Sequence, residues 1–210
     1  MNVLFVPSRN QLRKDMTGGF YPWARAWQER HGGELVRFDL DRSQKVRQQT
    51  ILAAIEFHAP ETICFFTHGL RTSLPQLGFT KWNLDPLAKM IASKNTAPRV
   101  ILYACSSGSG PGPEGDGGFA DTLRDALCKH GATNCQVDAH TTAGRADANP
   151  YVRRFEGLGN PEGGTGGYWL VAPGDPEWKK WRLALAESDS VMRWDFPFLT
   201  REEILSKLGT

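Results

Sequence analysis

Apolar residues fall into short continuous runs, separated by stretches in which they recur every third or fourth position. The runs cover 2–7, 34–40, 61–67, 99–104, 135–141 and 167–171, each of a strand's length. Between them, Phe20, Trp23, Ala24 and Trp27 predict a helix over 17–31, closed by Gly32 and Gly33. Val46, Ala53, Ala54 and Phe57 predict one face of a helix over 43–58, which Pro60 stops. Leu84, Leu87, Ala88 and Ile91 mark another, and Phe119, Leu123, Ala126 and Leu127 a fourth that ends at Gly131. Trp178, Trp181, Arg182 and Leu185 are in helical phase over 175–187, and Thr200 with Glu203 forms a capping box for a short last helix.

Strands that alternate with helices favour a parallel sheet covered on both faces. The fold expected is therefore α/β: a three-layer sandwich around a mostly parallel six-stranded sheet, with a flavodoxin-like start. Right-handed crossovers give the order 2-1-3-4-5-6. The third run is apolar throughout, as a central strand is. Residues 1–210 read as one domain, a core of 1–172 followed by a helical extension over 173–210, with no repeat and no dividing linker. Ligands of such sheets bind at the carboxyl ends of strands, near the point where strand order reverses. The third and fourth strands exit there, at His68 and Cys105.

Composition narrows the function classes. A net charge of +2, without a basic run, gives no footprint for nucleic acid. No apolar run reaches the ~20 residues that a membrane span needs. The first residues read as a strand rather than a leader, so the expected location is cytoplasmic. There the four cysteines should be reduced. Their spacing fits no zinc site, and Gly108–Gly118, despite Glu114 and Asp116, lacks the regular acidic spacing of a calcium loop. That segment reads as a flexible loop, and no metal or cofactor is expected. Cys64 sits within a strand, Cys128 on an apolar helix face and Cys135 just before a strand. Cys105 stands apart, at a strand exit followed by small residues.

A thiol held by a core strand on one side and a glycine-rich loop on the other has the setting of a nucleophile. A histidine in reach can take its proton and later protonate a leaving amine. Gly69, directly after His68, lets another backbone approach closely. The blocks Ile63-Cys-Phe-Phe-Thr-His-Gly69 and Val100-Ile-Leu-Tyr-Ala-Cys105 resemble those of the caspase-, legumain- and gingipain-like clan of cysteine peptidases. Ala104-Cys-Ser-Ser-Gly-Ser-Gly110 is similar to the legumain and separase versions of the second block. Val137–Ala143, with Tyr151 to Phe155 and Tyr168 to Leu170 after it, resembles the caspase segment that lines the substrate groove.

The resemblance implies a Cys105–His68 dyad, an oxyanion hole from the backbone amides of Gly69 and Cys105, and a peptide or protein substrate added as a strand beside Thr142–Asp147. Tyr103 and Ser106 flank the second block where caspases carry other residues, so aspartate specificity is not implied. Asp138 or Asp147 would select a basic side chain before the scissile bond, and Arg145 an acidic one. The glycine run 157–167 reads as an exposed loop, with activating cleavage or a lid as alternatives. Three rival readings remain. Ser106 would attack in a variant nucleophile elbow, but the later histidines, His130 and His140, sit at no clear strand exit on the active edge. A catalytically inactive domain would bind peptide without cutting it. A nucleotide-binding fold lacks its phosphate-binding glycines after the first strand.

Overall fold

The computed structural model describes residues 1–8, 19–144, 149, 151–172, 174–188 and 198–209. The strands are β1 (Asn2–Pro7), β2 (Glu34–Phe38), β3 (Thr62–Phe66), β4 (Ser73–Leu74), β5 (Phe79–Thr80), β6 (Arg99–Tyr103), β7 (Gln136–His140), β8 (Val152–Glu156) and β9 (Tyr168–Trp169). The helices are α1 (Phe20–His31), α2 (Gln44–His58), α3 (Asp85–Lys94), α4 (Phe119–Lys129), α5 (Trp178–Ser188) and α6 (Arg201–Leu208). The main sheet runs β2-β1-β3-β6-β7-β8-β9. Its first five strands are parallel, and β8 and β9 are added antiparallel.

Alternation along the strands sorts the core into two layers. Val3, Phe5, Ile63, Phe65, Val100, Leu102 and Val137 pack with residues of α2, α3 and α4. Leu4, Val6, Cys64, Phe66, Ile101 and Tyr103 face the other way, against Phe20, Ala24 and Trp27 of α1 and against Phe198. Helices on both faces complete a three-layer arrangement. Behind it, Trp181 of α5 and Ile204 of α6 bury against Val171.

The sheet departs from the expected six strands by one. β8 enters between the fifth and sixth runs, so the last run pairs with β8 rather than with β7. Its own pairing shrinks to Tyr168–Trp169. The segment read as a loop over 71–82 contains the β4–β5 hairpin. In α2 the buried face is Ile51 and Ile55, while Val46 and Phe57 are exposed. The larger apolar pair at i and i+4 wins the helix phase. The 108–118 segment, read as a flexible loop, carries local turn structure. It contains a 3-10 turn over Pro113–Gly115, around which the Gly112 amide donates to the Asp116 carbonyl and the Asp116 amide to the Pro113 carbonyl. Among the described residues no helix is long and apolar enough to cross a membrane.

Candidate active site

β3 and β6 pair in register, Phe66 opposite Tyr103, so the chain leaves both strands side by side at the carboxyl edge. The Thr67 amide still reaches the Tyr103 carbonyl, at 3.4 Å. Past that point the backbones close further. A Cβ on Gly69 would lie 2.5 Å from the Cys105 carbonyl oxygen and 2.7 Å from the Ala104 Cβ. A residue without a side chain is what lets the segment carrying His68 touch the segment carrying Cys105.

Each side chain has its own supports. Gln76, in the β4–β5 turn, accepts from the Thr67 hydroxyl at 2.8 Å and from the His68 amide at 3.0 Å, fixing the exit of β3. The His68 ring stands edge-on to Phe20, centroids 5.0 Å apart, and no described residue hydrogen-bonds its nitrogens. Cys105 is half-buried, its thiol 3.8 Å from the Gly144 carbonyl oxygen. The other three cysteines are buried, and burial pushes each of their thiols up, toward the protonated form. Cys105 is thus the one thiol open to a reagent or substrate.

After the cysteine the chain turns sharply. Ser106 has φ 57°, the left-handed region that a non-glycine residue enters at a cost of about 1–2 kcal/mol. The strain is held by three bonds: Ser106 N to the Thr142 carbonyl, Gly108 N to the His140 carbonyl and the Ser107 hydroxyl to the Ala104 carbonyl. This turn leaves the amides of Gly69 and Cys105 without a hydrogen-bond acceptor among the described residues.

The remaining expected residues separate. Thr142 lies at the edge, exposed, its carbonyl already accepting from Ser106 and from the Asn149 side chain. Arg145 and Asp147 lie outside the described residues. Asp138 is corrected: it is fully buried in mid-strand, and its carboxylate accepts from Arg99, Arg154 and Gln136. A carboxylate so occupied by two guanidinium groups is structural and offers nothing to a substrate side chain. The glycine run 157–167 is likewise tied down. Arg124 of α4, buried, donates to the carbonyls of Glu156, Gly164 and Gly166, while Asp121 and Asp125 accept from the Gly166 and Gly164 amides.

His140, expected at no clear strand exit on the active edge, is corrected: it ends a strand there. It closes β7 and shares a small space beside Cys105 with Tyr103, Phe20, Trp23 and Asn149. The residue is 2% exposed, neither ring nitrogen has a hydrogen-bond partner among the described residues, and burial holds its pKa down to about 3. Its alternation with Asp138 on one face of β7 is the only signal, and that reads equally as core. Among the described residues no three histidine, cysteine or acidic side chains group as metal ligands. No family model and no curated protein matches the chain.

Proposed function

We propose that this chain is a cysteine peptidase of caspase-like fold, with Cys105 as nucleophile and His68 as general acid and base. The observation that carries the reading is the contact of the two strand exits, where Gly69 meets the Cys105 carbonyl at a distance that only glycine allows. Beside it, Cys105 is the only one of four thiols that is not buried.

The chemistry follows from those groups. His68 takes the Cys105 proton, and the thiolate adds to the carbonyl carbon of the peptide bond. The amides of Gly69 and Cys105 donate to the oxyanion that forms. Collapse breaks the C–N bond as His68 returns its proton to the leaving amine, giving a thioester and a shortened peptide. Water then adds to the thioester, His68 taking its proton, and a carboxylic acid leaves as the thiol is restored. No metal or second cofactor enters this cycle.

The test uses a mixed peptide library and the full chain. Cys105→Ala should lower cleavage at least about a thousand-fold while leaving thermal unfolding unchanged, and Ser106→Ala should retain cleavage. Cleavage that survives Cys105→Ala and disappears with Ser106→Ala would replace the thiol mechanism with a serine one. A wild-type chain that binds peptides without cutting any would be the inactive binding module.

A further inference from the structure

The space beside Cys105 is not used by the dyad, and its lining is chemically specific. Phe20, Trp23 and Tyr103 give it aromatic walls, and among the described residues no charged side chain lines it. Besides Cys105 and the Trp23 and Tyr103 rings, the side chains of Asn149 and His140 reach it. Asn149 is already committed: its carbonyl oxygen accepts from the Thr142 hydroxyl and the Tyr151 amide, and its amide nitrogen donates to the Thr142 carbonyl. His140 is not committed at all. Neither ring nitrogen has a hydrogen-bond partner among the described residues, and Phe198 stands edge-on behind the ring, centroids 5.2 Å apart.

An imidazole buried with neither nitrogen paired loses hydrogen bonds that water would have given it. A ligand group that supplies one recovers that loss. On the peptidase reading, on which this inference rests, the acyl carbon sits on Cys105 Sγ. The side chain of the residue that donates the acyl group then starts one carbon away, next to the space that Cys105 lines.

We propose that His140 determines specificity in a subsite that takes a small, uncharged, hydroxyl-bearing residue, serine first, immediately before the scissile bond. Three observations set that choice. The free volume is about 10 Å³, which admits one group of a water's or hydroxyl's size. A neutral imidazole presents one donor and one acceptor, which a hydroxyl matches and a methyl does not. Aromatic walls, with no counter-charge among the described residues, disfavour acidic and basic side chains, whose burial goes uncompensated.

The experiment compares peptides identical except at that residue, as fluorogenic substrates and as acyloxymethyl ketones, on the full-length chain. With wild type, serine should exceed alanine about ten-fold in kcat/KM, the ratio a single recovered hydrogen bond gives. Aspartate, lysine and phenylalanine should fall below alanine. In His140→Leu the serine-to-alanine ratio should drop to about one, with folding checked by thermal unfolding. The wild-type ranking needs no variant, so a misfolded His140→Leu leaves the inference testable. A preference for a charged or large residue, no difference between serine and alanine, or a serine preference that persists in folded His140→Leu would overturn the subsite while cleavage itself upholds the peptidase. Neither cleavage nor a Cys105 adduct with any peptide would overturn both.

Discussion

Cys105 and His140 occupy opposite ends of one physical scale. The cysteine is partly open to solvent, and the histidine pays for complete burial. Because the folded chain keeps His140 neutral down to about pH 3, while an unfolded histidine takes a proton near 6.5, protonation favours the unfolded state in that interval. The contribution to stability is full above pH 6.5 and is lost as pH falls toward 3, by at most about 1.4 kcal/mol per pH unit. Urea unfolding at pH 7.5 and pH 4.5 checks this. Wild type should lose about 3 kcal/mol more than His140→Leu over that change, whereas equal losses would mean that His140 is not held neutral in the folded chain.

Strand exits rather than whole elements carry the candidate chemistry. Gly69 is where β3 and β6 come closest beyond their last paired residues. Gly69→Ala forces a methyl to 2.5 Å from the Cys105 carbonyl oxygen, so the two exits must part. Overpacking of this kind costs about 1–3 kcal/mol, and peptide cleavage should fall by more than ten-fold because both members of the dyad shift. Thermal unfolding and turnover measured on the same sample check the pair; turnover kept at the wild-type level in Gly69→Ala would show that the contact does not set the dyad.

At the same scale, β1, β3 and β6 were legible in the sequence because each is a largely apolar run buried on both faces. β8 was not, because its sequence, Val-Arg-Arg-Phe-Glu, buries two apolar residues among three charged ones, and its Arg154 reads as solvated until Asp138 is seen beneath it. Asp138 itself misled for the same reason: one sequence position does not reveal that two arginines, one from each neighbouring strand, neutralise it.

For the molecule as a whole, topology does what single motifs do not. The order β2-β1-β3-β6-β7 puts the ends of β3, β6 and β7 next to one another, and with them His68, Cys105 and His140. Neighbouring ends of the third and fourth strands followed from the alternation of strands and helices. The contribution of β7 did not, since His140 gains its meaning only from the aromatic residues of α1 and from Phe198, distant in sequence. The C-terminal segment, read as an extension, supplies Phe198 to the core beside Tyr103, centroids 4.6 Å apart. The other three thiols lie buried in the two core layers, which leaves Cys105, at the carboxyl edge of the sheet, as the one thiol that is not buried.

That separation makes one measurement decisive. A peptidyl acyloxymethyl ketone is attacked at its methylene carbon by a thiolate; the C–S bond forms as the carboxylate leaves, and the protein gains the mass of the peptidyl ketone. Intact-mass analysis with peptide mapping should find one adduct, on Cys105, formed at least ten-fold more slowly in His68→Ala. No adduct, an adduct on another cysteine, or an equal rate in His68→Ala would contradict a Cys105–His68 dyad.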